Sequence, residues 1–195
     1  MKPKIKIIAG STRPGRFNIQ PSTWIFEVAQ KRDDIEVEIV DLMDINLPML
    51  DEGIPASQQK YEKEHTKRWA KIIAEADGFI FVTPEYNHSM SGALKNAIDY
   101  LYTEWTYKPV SFVSYGSLAG GSRAVEHLRG IAGELKMYDM REQVMLPNYW
   151  EDLDENGVYQ LSDRHEHAAQ LMLEPLVFWA KQMKIARAEL EKAAK

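Results

Sequence analysis

Gly78-Phe79-Ile80-Phe81-Val82 runs straight into Thr83-Pro84-Glu85-Tyr86-Asn87-His88-Ser89, and a segment follows in which Leu94, Ala97, Ile98 and Leu101 share one helical face. Five residues with no polar side chain suit a strand buried on both faces, the mark of a central strand in a parallel sheet. Outward from it the same alternation repeats. Short β-rich runs at residues 5–9, 37–40, 110–114 and 144–146 read as strands. Between them Trp24, Ile25, Val28 and Ala29 share a face, as do Trp69, Ile72, Ile73 and Ala76, and Val125, Leu128, Ala132 and Leu135. These spacings are helical. A last stripe from Ala168 to Met183 predicts a C-terminal helix over about 163–192, with Pro175 expected to kink it and a charged tail, Arg187 to Lys195, expected to be solvated. Strand and helix repeated five times imply right-handed crossovers and a parallel sheet with helices on both faces.

The chain has 195 residues, 45% hydrophobic and 27% charged, which predicts one soluble domain over 1–195 with a proper core. With 24 basic and 29 acidic side chains the net charge is −5, which argues against a nucleic-acid partner. There is no cysteine, so thiolate catalysis and cysteine-based metal sites are out. No apolar run reaches the ~18 residues of a membrane span, and the N-terminal apolar stretch is too short for a secretory signal. The expectation is no membrane association and a cytoplasmic location. His165-Glu166-His167 does not present both imidazoles on one helix face, so no metal site is expected. No nucleophile elbow is present, and no catalytic acid or base is singled out.

Ligands of open parallel sheets bind beyond the C-terminal strand ends, where strand order reverses. In the order 2-1-3-4-5 that crevice lies between the first and third strands, so three segments matter. Gly10-Ser11-Thr12-Arg13-Pro14-Gly15-Arg16-Phe17-Asn18 enters a helix. Glycines, hydroxyls, two arginines and a helix N-terminus together suit a phosphate, although neither the dinucleotide fingerprint nor a Walker loop is present. After the third strand, Pro84 fixes a turn, the amides beyond it with the Asn87 side chain suit a flat polar heterocycle, and Tyr86 can stack on it or hydrogen-bond to it. After the fourth strand, Tyr115-Gly116-Ser117-Leu118-Ala119-Gly120-Gly121-Ser122-Arg123 would form an adjoining wall. Trp105 and Tyr107 are either packing residues or a cover for a bound ring. Long connections at about 43–58 and 147–163 are expected to be functional or mobile, and the acidic run 151–155 to be solvated.

Taken together these loops resemble the NADPH-dependent FMN reductase family of flavodoxin-like proteins. The resemblance spans about residues 4–146, and Pro84-Glu85-Tyr86-Asn87 with Leu94-Lys95-Asn96-Ala97 is its most specific part. Many members carry serine where Arg16 stands. The resemblance implies a flavodoxin-like three-layer sandwich and bound FMN, with NADPH or NADH as electron donor. By residue, Ser11, Arg13, Arg16 and Asn18 would hold the phosphate, Pro84, Glu85, Tyr86 and Asn87 would line the ring edge, and Ser117, Gly120 and Gly121 would flank the ring. It implies hydride transfer to the flavin and on to a small-molecule acceptor, with a flavodoxin-type electron carrier as the alternative. Arg13, Arg123 and Lys108 are candidates for the 2′-phosphate of NADPH. A homodimer or dimer of dimers is implied, with contacts expected near residues 58–75 and 90–104, where Trp69, Tyr100 and Tyr102 are taken as surface aromatics.

Overall fold

A computed structural model describes residues 2–193. Its five strands are β1 (Lys4–Ala9), β2 (Glu36–Asp41), β3 (Gly78–Pro84), β4 (Pro109–Gly116) and β5 (Tyr138–Pro147). All pairings are parallel and the order is β2-β1-β3-β4-β5, the flavodoxin-like order. The helices are α1 (Ile19–Gln30), α2 (Leu42–Ile45), α3 (Glu64–Ala74), α4 (Gly92–Asp99), α5 (Ser122–Glu134) and α6 (Asp163–Ala193).

The period of two along the central strands divides the core. Phe79 and Phe81 of β3 join Phe112, Trp69 and Trp105 on one side, while Ile80 and Val82 join Val113, Ile25, Met172 and Leu176 on the other. Each β3 residue is buried, as expected of a strand covered by helices on both faces. β5 begins six residues before the apolar run at 144–146. It is an edge strand, and its solvated Arg141-Glu142-Gln143 hides the pattern. Arg129 of α5 holds that stretch through Asp139 Oδ1 (2.6 Å), the Met140 carbonyl (2.7 Å) and Gln143 Oε1 (3.0 Å).

Several expectations need correction. Trp69 and Tyr100 are fully buried rather than surface aromatics. Trp69 Nε1 donates to the Ala97 carbonyl at 2.8 Å, and the Tyr100 hydroxyl donates to Asp51 Oδ1 at 2.9 Å, which pins the 46–63 connection to α4. Tyr102 is half-buried, with its hydroxyl on Glu134. Trp105, Tyr107 and Lys108 precede β4 and so lie at the N-terminal end of the sheet, away from the crevice. Trp105 is a core residue among Phe79, Phe81 and Trp69. Nor is the C-terminal tail uniformly solvated. Arg187 donates to Asp77 Oδ1 (2.6 Å) and the Tyr107 carbonyl (2.8 Å), and Lys184 joins Asp77 Oδ2 at 2.6 Å. Residues 194 and 195 of that tail lie outside the described residues. α6 runs unbroken through Pro175; the carbonyl four residues back, which Pro175 cannot serve, belongs to Leu171 on the exposed side.

Lys108 is only 4% exposed, and its Nζ donates to the carbonyls of Ile73 (2.8 Å) and Ala74 (3.1 Å) in the last turn of α3. Burial pushes this amine down to about 7, and the Arg187 cation acts in the same direction against Asp77. An unfolded lysine keeps its proton up to about pH 10.4. Between pH 7 and 10 the unfolded chain therefore binds the extra proton, and this group makes stability rise with pH by up to about 1.4 kcal/mol per pH unit. The stability of Lys108→Met between pH 7 and 9, measured by urea unfolding, is expected to lack that rise. Equal slopes for the two proteins would contradict the assignment.

Candidate active site

At the C-terminal ends of β1, β3 and β4 lies a cleft of about 530 Å³, lined by residues that include Arg13, Phe17, Tyr86, Ser117, Tyr149 and Trp150. Its floor begins where β1 gives way to the first loop. Gly10 donates its amide to the Val82 carbonyl at 2.9 Å, and a Cβ at this position would lie 2.8 Å from that oxygen. Only glycine permits this approach. The Gly10 carbonyl accepts a hydrogen bond from Ser91, which in turn caps α4 through the Leu94 amide at 3.1 Å. Asn18 is buried and donates Nδ2 to the Val82 carbonyl at 3.0 Å. One residue thus ties the start of α1 to the central strand.

The two arginines of the loop divide their work. Arg16 forms a two-pronged pair with Asp41 at the end of β2, and its Nη1 also donates to the Ser11 carbonyl at 2.6 Å. Asp41 meanwhile caps α2 through the Met43 amide at 2.9 Å. Arg16 therefore braces the loop from behind. Arg13 is exposed, and its guanidinium has no hydrogen bond or ion pair among the described residues. It is the free cation of the loop.

After β3, Tyr86 and Ser89 exchange backbone hydrogen bonds at 2.8 and 3.0 Å across a two-residue turn. Asn87 (φ 50°) and His88 (φ 69°) both take left-handed conformations there, the signature of a type I′ turn. Asparagine tolerates this and histidine less so, and such strain collects at ligand sites. The turn is held by His127 Nδ1 to Ser89 Oγ at 2.9 Å. Just before it, the Glu85 carboxylate is buried against Arg123, whose backbone amide (3.2 Å) and Nε (2.6 Å) both donate to it. This pairing ties the second loop to the third. Tyr86 reaches back across the cleft, its hydroxyl 3.3 Å from Ser11 Oγ.

The third loop lines the cleft through Gly116 and Ser117. Gly120 and Gly121 do not line it; they turn the chain into α5 at φ 55° and 85°. A Cβ on Gly121 would sit 2.7 Å from that of Ser114. The remaining wall went unassigned in the sequence. Residues 147–163 fold over α1, Tyr149 stacking on Phe17 with ring centroids 4.1 Å apart. Gln20 clamps them, donating to the Gly157 carbonyl and accepting from the Tyr159 amide, both at 2.8 Å. The acidic run is therefore part of an ordered flap. Its signal in the sequence was position: Tyr149 and Trp150 follow β5, at the same end of the sheet as the three loops.

Two polar atoms under the cleft, Asn18 Oδ1 and the Tyr115 hydroxyl, are buried with no hydrogen-bond partner among the described residues. Burial pushes the Tyr115 phenol well above its ordinary range, so it is a protonated donor. Uncompensated groups of this kind are expensive unless a ligand or water serves them. A free arginine, an unserved hydroxyl and an aromatic rim that includes half-exposed Trp150 fit a phosphorylated, flat, polar heterocycle.

The fold is flavodoxin-like, and the cleft sits where an open parallel sheet takes its ligand. The family model of NADPH-dependent FMN reductases matches residues 3–151. The chain is 47% identical over 137 residues to an NAD(P)H-dependent FMN reductase of Schizosaccharomyces pombe, covering 69% of this chain and 68% of that one. It is 30% identical over 193 residues to a 2-hydroxy-1,4-benzoquinone reductase of a Burkholderia species, covering 93% and 98%. Among solved structures it resembles a flavoenzyme NAD(P)H:(acceptor) oxidoreductase of Paracoccus denitrificans, with a TM-score of 0.71 and 20% identity over 93% of this chain and 98% of that one. The chain belongs to the NADPH-dependent FMN reductase family and is an FMN-dependent NAD(P)H oxidoreductase.

Proposed function

We propose that FMN binds in the cleft between the three loops and that the acceptor is a small quinone-type molecule or free flavin. When bound, FMN would supply the redox chemistry between NAD(P)H and the acceptor. The protein's part is to hold, orient and exclude. Arg13, Ser11 and the loop amides hold the phosphate, with Arg16 and Asn18 fixing the loop that presents them. Pro84, Glu85, Tyr86 and Asn87 form the ring edge, where amides of the strained turn favour negative charge. Gly116 and Ser117 take the neighbouring side, and Gly120 and Gly121 support them from behind. No side chain is assigned as catalytic acid or base, and no metal is invoked. Of the 2′-phosphate candidates, Arg123 is paired with Glu85, Lys108 lies at the far end of the sheet, and Arg13 is given to the FMN phosphate.

The observation that carries this reading is the convergence of an unpaired Arg13 and an unserved Tyr115 hydroxyl on one cleft. No helix among the described residues is long and apolar enough to cross a membrane. A cytoplasmic location belongs to the proposal, as does a homodimer. On the α3–α4 side the exposed apolar side chains are Met43, Met49 and Leu50 rather than the expected aromatics. One rim serves both donor and acceptor, so initial rates with NADPH and benzoquinone are expected to give parallel double-reciprocal lines. Intersecting lines would mean both substrates are held at once, and no turnover with any acceptor would leave only an electron carrier.

A further inference from the structure

The family match ends at residue 151, so most of the flap lies beyond the part of the site that the family pattern covers. The tip of the flap is held together locally. Asp154 donates its amide to the Val158 carbonyl at 2.9 Å, and its Oδ1 accepts from the amides of Asn156 (2.8 Å) and Val158 (2.9 Å). Beside them Leu153 pairs with Tyr159. These bonds shape the tip without attaching it to the body.

Attachment comes from Gln20 in the first turn of α1. Its Nε2 donates to the Gly157 carbonyl and its Oε1 accepts from the Tyr159 amide, both at 2.8 Å. The two backbone groups stand two residues apart, and one side-chain amide satisfies both. Among the described residues no other hydrogen bond joins residues 149–161 to α1 or to the phosphate loop. The rest of the hold is aromatic, with the Phe17 ring 4.1 Å from Tyr149 and 5.3 Å from Tyr159. Both the amide latch and the stack bear on the phosphate loop. Phe17 sits between Arg16 and Asn18, and Gln20 lines the cleft with Arg13, Trp150 and Leu153. Among the described residues the flap has no hydrogen bond to the turn after β3. It hangs on the side of the cleft where the phosphate loop lies.

We propose that Gln20 is a positioning residue that latches the flap across the cleft, so that the flap gates the entry and exit of FMN. This rests on the cleft being the FMN site proposed above. Both hydrogen bonds are made within the chain and need no ligand atom, so the latch acts on entry and exit alike. Such a gate changes both rates and leaves the affinity where the phosphate loop and the ring edge set it. Arg13, by contrast, acts on affinity. A latched chain keeps one flavin through many turnovers instead of exchanging it.

Each neutral hydrogen bond is worth about fivefold in an equilibrium, so loss of both makes the open flap about 25-fold more populated. Gln20→Ala is expected to raise FMN association and dissociation rates together, each by about 10–30-fold, with the dissociation constant within about threefold of wild type. Alanine suits a helix, and far-ultraviolet circular dichroism checks that α1 is intact. Gln20→Met keeps the bulk of the side chain and loses both hydrogen bonds, so it is expected to match Gln20→Ala. The rates come from stopped-flow quenching of FMN fluorescence, and hydrogen exchange at the Tyr159 amide reports the latch without flavin. A faster-exchanging Tyr159 amide with unchanged flavin rates would overturn the proposal while leaving FMN in the cleft. A rise in dissociation alone would also sink it, since the flap would then be a contact rather than a gate. FMN that binds wild type without slowing exchange in the phosphate loop would put the flavin elsewhere and overturn both readings.

Discussion

Arg16→Ala is expected to lower unfolding stability by about 2–4 kcal/mol and, with it, to loosen the hold on FMN. The guanidinium and Asp41 are only 10% and 15% exposed. Removing one partner leaves the other charge half desolvated with nothing opposite it, the costly way to break such a pair. The loss also propagates. Arg16 holds the Ser11 carbonyl at 2.6 Å, and Asp41 caps α2, so the loop and the end of β2 come apart together. A melting temperature lower by roughly 5–12 °C is the corresponding shift for a chain of this size. The Arg16→Ala/Asp41→Ala double variant is expected to recover part of that fall, because no orphaned carboxylate remains. A double variant less stable than the sum of its singles would show that the pair is not coupled as described.

Arg13→Ala is expected to behave in the opposite way. Its side chain is exposed and unpaired, so melting should stay within about 1 °C, while the FMN dissociation constant rises about 10–100-fold. That range corresponds to the loss of one charge-assisted hydrogen bond to phosphate, roughly 1.5–3 kcal/mol. Arg13→Lys should restore some of the affinity but not all, since a point charge lacks the two-pronged geometry. The measurement is a fluorescence titration of FMN at two salt concentrations. Equal affinities for wild type and Arg13→Ala would remove this residue from the phosphate site. The two substitutions sit three residues apart, and the contrast between them separates bracing the loop from binding the ligand.

That contrast was not visible in the sequence, and the reason is physical. Both arginines follow a strand end in a glycine-containing loop, and nothing local says which of them finds a carboxylate. Asp41 lies 25 residues away and meets Arg16 only because β2 lies beside β1. The fold itself was readable, because a parallel sheet writes its core into each strand. Phe79 to Val82 are apolar on both faces, and the helical stripes between strands fix the crossovers. The readable part ended where a strand is half solvated, as in β5, or where an aromatic is placed by contacts distant in sequence. Tyr100 reads as a surface residue until Asp51 is brought to its hydroxyl. The 147–163 connection reads as functional or mobile, but its seat against α1 is not legible, since Gln20 and Tyr159 are 139 residues apart.

The three loops were recognisable because their chemistry is local: glycines with a hydroxyl and two arginines ahead of a helix, a proline-led turn, a hydroxyl followed by two glycines. What they could not reveal was the buried polar floor. Asn18 and Tyr115 come from different segments, and their unserved atoms become significant only once both are seen under one cleft.

The most direct test is the visible spectrum of the purified protein loaded with FMN, followed without oxygen as one equivalent of NADPH is added and then one of benzoquinone. The expected result is bleaching of the flavin absorbance within the mixing time of a turnover, and its full return on adding the quinone. FMN that fails to bind, or that binds and keeps its colour with NADPH present, would contradict the account.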